Sequence, residues 1–178
     1  IYYYDGFQTR QITDNSYDDQ DPSLYDGKIA WEAQNGSDWE IFYYNGNNIV
    51  QVTSNEVDED DPSLYDGKIA YLKDDGSDFE VFYWDGVSHK RVSDNQFEDY
   101  APSLHDGKIA WYGYDGNDNE IYYWDGNVIT EVTRNNFDDL DPSLYAGTIV
   151  YSAQDGPFYQ LFFWDGSTTE QVTFDNFS

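Results

Sequence analysis

The chemistry this chain can offer is that of carboxylates. Four short segments, 15–21, 55–61, 95–101 and 135–141, read NSYDDQD, NEVDEDD, NQFEDYA and NNFDDLD. Closely spaced carboxylates are hard oxygen ligands suited to calcium, whose charge relieves their mutual repulsion. The candidate ligands are Asp18, Asp19 and Asp21 in the first segment, Asp58, Asp60 and Asp61 in the second, and Asp138, Asp139 and Asp141 in the fourth. The third keeps Asp99 beside Glu98 but carries Ala101, so a weaker site is expected there. None of the segments has the spacing of an EF-hand loop, and the competing reading is plain solvated acid that caps turns. Asn15, Asn55, Asn95 and Asn135 open the segments, in positions that cap a turn or lend a carbonyl.

Other chemistries find less support. Carboxylate pairs imitate a glycosidase acid and base, but that chemistry needs two groups driven to different pKa values, which a near-identical repeated array does not provide. His89 and His105 each occur once in the repeat pattern, and His105 stands where the other units have Tyr25, Tyr65 and Tyr145, so both read as packing or surface substitutions. No nucleophile elbow, metal-histidine pair or phosphate loop is present, and a non-enzymatic protein is expected. Eight basic against thirty-six acidic residues give a formal charge of -28. Such a field repels nucleic acid and anionic membranes and attracts cations. The absence of Cys excludes disulfides and thiolate metal sites. No apolar run is long enough to span a membrane as a helix. Eighteen Tyr, eleven Phe and six Trp supply the buried area that a disordered acidic chain lacks. Asn35-Gly36-Ser37 and Asn176-Phe177-Ser178 fit the N-glycosylation pattern.

What positions the carboxylates is a repeat. PSLYDGKIA at 22–30 recurs unchanged at 62–70, as PSLHDGKIA at 102–110 and as PSLYAGTIV at 142–150, always forty residues on. A second landmark keeps the same beat at Asp5-Gly6, Asn45-Gly46, Asp85-Gly86, Asp125-Gly126 and Asp165-Gly166. Within each unit, short β-branched and aromatic runs alternate with Asp-Gly or Asn-Gly turns, the pattern of hairpins. Four antiparallel strands in forty residues match a propeller blade. Leu24, Leu64, Leu104 and Leu144, Ile29, Ile69, Ile109 and Ile149, and the aromatic series Trp31, Tyr71, Trp111, Tyr151 suit faces buried between neighbouring blades. The turns at 35–38, 75–78 and 115–118 then emerge on the same side as the acidic segments.

The run from an acidic residue through Pro-Ser-Leu, Asp-Gly-Lys-Ile-Ala-Trp, a Gly turn and Glu-Ile-Tyr-Tyr resembles the TolB-like, WD40-like (PD40) propeller repeat. The match is strongest at 21–31, 61–71 and 106–123, and each unit closes on Ile12-Thr13, Val52-Thr53, Val92-Ser93, Val132-Thr133 or Val172-Thr173. Where that family has Ser-Pro-Asp-Gly, this chain has Leu24-Tyr25-Asp26-Gly27. The resemblance implies a blade and little about activity, since the family includes periplasmic scaffolds, peptidase-associated domains and polysaccharide lyases.

The units divide the chain into a half blade at 1–17 and full blades at 18–57, 58–97, 98–137 and 138–178. The half blade has only the last two strands, and the fourth unit ends on a fourth strand, so simple ring closure is not expected. An uncovered blade face and an open strand edge invite association. The expectation is an all-β partial ring that belongs to a longer array or a homo-oligomer, cation-stabilised and assembled into a larger extracellular object or filament. The alternative is a carbohydrate-binding or polysaccharide-processing domain, with glycans stacked on exposed members of Trp39, Phe79 and the aromatic neighbours of Asn119, Tyr114 and Tyr122.

Overall fold

The computed structural model describes residues 1–174 as eighteen strands with no helix. A two-stranded sheet, β1 (Tyr2–Tyr4) and β2 (Thr9–Gln11), comes first. Blade 1 is β3 (Asp19–Tyr25), β4 (Lys28–Asn35), β5 (Asp38–Tyr44) and β6 (Ile49–Gln51). Blade 2 is β7 (Glu59–Tyr65), β8 (Lys68–Asp74), β9 (Phe79–Trp84) and β10 (His89–Arg91). Blade 3 is β11 (Asp99–His105), β12 (Lys108–Tyr114), β13 (Asn119–Trp124) and β14 (Ile129–Glu131). Blade 4 is β15 (Asp139–Tyr145), β16 (Thr148–Asp155), β17 (Phe158–Trp164) and β18 (Thr169–Gln171). Each blade is an antiparallel meander in chain order, and the five sheets do not close into a ring. The glycosylation pattern at Asn176 lies outside the described residues.

The sequence signatures have local causes. In the Asp-Gly turn of each PSLYDGKIA run, two consecutive residues take positive φ, 47° at Asp26 and 73° at Gly27, which a two-residue hairpin turn between twisted strands requires. At Gly67 there is a second reason for glycine: an added Cβ would lie 3.1 Å from the Tyr43 hydroxyl of the preceding blade. The Pro-Ser-Leu run follows a β-bulge, with the register shifting between Gln20 and Ser23 and at the matching place in each later blade. Pro, which cannot donate to a ladder, is tolerated at such a bulge.

Serine of the same run joins blades. The Leu64 amide donates to Ser23 Oγ, Leu104 to Ser63 Oγ and Leu144 to Ser103 Oγ, each at 2.9 Å. The closing Val-Thr pair is also accounted for: Thr53, Thr133 and Thr173 Oγ1, and Ser93 Oγ, accept the amides of Ile41, Ile121, Leu161 and Val81 at 2.8 Å. A hydroxyl thus takes over from the ladder where the short fourth strand stops.

There is no single core. Apolar layers lie between consecutive sheets, as between Ile41 and Tyr43 of blade 1 and Leu64, Ile69, Tyr71 and Trp84 of blade 2. Equivalent layers join blades 2 and 3 and blades 3 and 4, and Ile1, Tyr3 and Ile12 of the opening sheet cover Ile29 and Trp31. Such stacking makes stability close to a sum over seams. A column of rings, Tyr25, Tyr65, His105 and Tyr145, runs across the inner strands with centroids 4.5, 4.3 and 4.6 Å apart, so His105 is a member of a packed aromatic column.

Candidate functional site

Beyond the Asp5, Asp85, Asp125 and Asp165 carboxylates that accept the amides of their own Asp-Gly turns, three structural roles recur among the acidic residues. The first is capping between blades. Asp58 Oδ1 accepts the Trp39 amide (2.9 Å), Glu98 Oε2 that of Phe79 (2.9 Å) and Asp138 Oδ1 that of Asn119 (3.1 Å). Each carboxylate of a linking segment therefore holds the start of the third strand in the preceding blade. Asn55, Asn95 and Asn135 turn the same segments by accepting the amides of Val57, Phe97 and Phe137. Asp18 contributes its backbone carbonyl to Gln34.

The second role is burial in acid pairs across the seams. Asp19, Asp99 and Asp139, with Glu59 at the matching place in blade 2, begin the first strands. Trp31 Nε1 donates to Asp19 Oδ1 and Trp111 Nε1 to Asp99 Oδ1, both at 3.0 Å. Glu59, Asp99 and Asp139 are 0%, 2% and 1% exposed. Facing them are Glu40, Glu80 and Glu120 from the third strand of the preceding blade, equally buried. Glu40 meets Glu59, Glu80 meets Asp99 and Glu120 meets Asp139, side chain to side chain. Burial, reinforced by the like charge opposite, raises Glu40, Asp99 and Glu120 to about 7. Glu32, buried beside Asp60, is raised to about 8. Two carboxyls in contact cannot both ionise cheaply, so each pair holds a shared proton to well above the ordinary carboxylate range. The repeating Glu in the middle of an aromatic strand was the available signal for these pairs, since a charge recurring inside a strand must find a partner.

The third role is convergence at turns and bulges. Asp21, Glu32 and Asp60 each bring one carboxylate oxygen to within 4.8 Å of the others. Asp61 and Asp141 belong to the same neighbourhood: Asp61 is raised by burial and by the charges of Asp60, Asp21 and Asp141, and accepts the Ala101 amide. Two further groups sit at the outer hairpins, Asp75, Asp78 and Glu80 in blade 2 and Asp115, Asp118 and Glu120 in blade 3. Of the ten sequence candidates, Asp21 and Asp60 thus fall in a three-carboxylate cluster, Asp99 and Asp139 are partners in buried acid pairs, Asp19 accepts the Trp31 indole and faces the Ile1 ammonium, and Asp58 and Asp138 are caps. The two outer clusters need Glu80 and Glu120, which arrive from a strand rather than from a linking segment.

No model of a known protein family matches the chain, and neither does any curated protein sequence. Solved structures do match. The β-propeller domain of the Trilobed protease from Pyrococcus furiosus, described as having an open velcro topology, aligns with a TM-score of 0.69 at 14% identity, over 95% of this chain and 57% of that one. A puromycin-hydrolyzing peptidase of Mycobacterium tuberculosis aligns at 0.71 and 14% identity, over 93% of this chain and 30% of that one. A putative TolB from Agrobacterium tumefaciens aligns at 0.60 and 16% identity, over 82% and 60%. The chain spans less than two thirds of each of these proteins. At such identities the likeness is one of fold alone: an all-β array of four-stranded propeller sheets that do not close into a ring.

Proposed function

We propose that this chain is a non-enzymatic structural or interaction protein of the TolB-like repeat family that assembles with further copies through its end faces. The observation that carries this reading is the exposure of residues that are buried at every internal seam. Val150 is 38% and Leu161 42% exposed, whereas their counterparts Ala30, Ala70, Ala110, Ile41, Val81 and Ile121 are at 0%. At the other end Leu24 is 59% exposed against 5% for Leu64. A sheet face built to receive another blade is a ready interface for a second copy of the same chain. Native mass measurement tests the idea. Particles well above 20.7 kDa that dissociate on Leu161→Lys are expected, and a monodisperse monomer in the wild-type protein would sink it.

Cation stabilisation belongs to the same reading, with calcium as the ion that oxygen-only ligand sets suit best. Clusters of three carboxylates completed by water fit the weak affinities of extracellular modules, and the reading accordingly sets the protein outside the cell. A second reading, glycan binding, is favoured by the exposed pair Phe97 and Tyr114, whose rings lie 5.4 Å apart beside a cavity between blades 2 and 3. Glycan-array binding abolished by Tyr114→Ala would favour it over assembly.

A further inference from the structure

Blades 2 and 3 carry the same three carboxylates at the outer hairpin but treat their charge differently. In blade 2, Arg91 Nη2 lies 2.8 Å from Asp75 Oδ2 and 2.9 Å from Glu80 Oε1, so a guanidinium fills the space between them. In blade 3 the counterpart of Arg91 is Glu131, paired with Tyr122 as Arg91 is with Phe82. The ligands left behind are well defined. Asp115 uses Oδ1 to accept the Asn117 and Asp118 amides, leaving Oδ2, the counterpart of the oxygen that Arg91 binds. Glu120 Oε1 accepts the Asn135 amide, whereas Glu80 Oε1 accepts both the Asn95 amide and Arg91. Asp118 is 8% exposed, and its buried Oδ2 has no hydrogen-bond partner. Arg134 lines the adjoining cavity with Asp115 and Glu131 but makes no ion pair among the described residues.

We infer that blade 3 binds a hard divalent cation, calcium, between Asp115, Asp118 and Glu120, in the place that the Arg91 guanidinium fills in blade 2. One oxygen from each residue lies within 4.8 Å of the others, which is the span of two ligands at about 2.4 Å on either side of one ion. Water and Glu131 are at hand to complete the shell. The other blades lack the set: blade 1 has Asn35 and Gln51 at the matching positions, and blade 4 has Phe158 and Gln160 in place of Asp118 and Glu120. The inference rests on the cation-stabilised part of the reading above and assigns that cation to a single turn.

Calorimetric titration of the full chain with calcium chloride, in chelator-treated buffer at fixed ionic strength, tests it. Terbium luminescence sensitised by nearby Tyr122 and Trp111 gives a second readout. One saturable site is expected, weakened at least tenfold by Asp118→Asn and abolished by Glu131→Arg, which copies blade 2 and keeps the fold. Should Asp118→Asn fail to fold, Glu131→Arg decides alone. Calcium bound undiminished by Glu131→Arg overturns this site while leaving the wider cation reading intact. No calcium bound by the wild-type chain overturns both, and binding that appears only on Arg134→Gln shows that Arg134 neutralises the turn instead.

Discussion

Blades 2 and 3 have the same strand order and the same register, and they bury the same acid pair against the next blade, Glu80 with Asp99 and Glu120 with Asp139. Among their differences, two reverse the charge of the outer strand and its exit: Arg91 and Asp94 in blade 2 become Glu131 and Arg134 in blade 3. In blade 2 the result is a network in which Arg91 joins Asp75, Glu80 and Asp94. In blade 3 the equivalent carboxylates pair with no cation among the described residues. The repeat thus copies the burden, buried carboxylates at each seam, without copying one compensation for it. Lysine does the work at another position in the first seam, where Lys73 Nζ lies 2.9 Å from buried Glu59.

The largest expected effect comes from making blade 2 resemble blade 3. Arg91→Glu removes charge-assisted hydrogen bonds to a fully buried carboxylate and should cost about 3 kcal/mol in chelator. Denaturant midpoints should show that loss, and added calcium should recover part of it. A loss that calcium leaves unchanged breaks the equivalence of the two turns.

Next in size is the pH response of the acid pairs. Glu40, Asp99 and Glu120 rise in the folded state to about 7, above their unfolded values of 4.5, 3.8 and 4.5. Folded protein therefore holds more protons than unfolded protein between those limits. Stability is complete below about pH 4, falls as pH rises, and is lost through about pH 7, by at least about 1 kcal/mol per pair. Chemical unfolding at pH 5 and pH 8, both in chelator, measures it. Glu40→Gln should flatten the response at the first seam, because an amide donates permanently where the shared proton did, as Gln20 Nε2 already does to Glu32 Oε1 at 2.6 Å. A stability that increases from pH 5 to pH 8 contradicts this account.

Glu131→Arg gives the converse of the first prediction. In chelator it should stabilise blade 3 by about 1 kcal/mol, since a guanidinium enters a partly exposed acidic turn. The smallest effect belongs to Asp94→Ala. Asp94 is 81% exposed at its side chain, and an ion pair in that setting contributes about 0.5 kcal/mol or less. A larger loss would show that Arg91 depends on its outer partner to hold Glu80.

Most of the fold was legible in the residues. The forty-residue beat, the Asp-Gly turns and the alternating aliphatic and aromatic positions predict four-stranded units, and the structure has them. Linking-segment acids were visible as a class, yet their roles were not. Asp58 and Asp19 look alike in sequence, but one caps the amide of Trp39 across a seam and the other accepts the Trp31 indole. Neither partner is a neighbour in the chain, so no local pattern distinguishes the two. The outer clusters were half visible, because their turn residues were expected near the acidic segments while Glu80 and Glu120 lie inside hydrophobic strands.

Forty residues suffice to specify the unit: where strands begin, where positive φ is needed, and which side chains are apolar enough to be covered. Those properties follow from backbone sterics and burial within forty residues. Which carboxylates meet is settled by the packing of one blade on the next. Glu80 and Asp99 become partners because the third strand of one blade and the first strand of the next are set at a particular angle and height. Serine-to-leucine hydrogen bonds and interleaved aromatic rings fix that placement from blade to blade. The electrostatic consequence depends on distances of a few ångströms across a seam, and a list of charges carries no such distances.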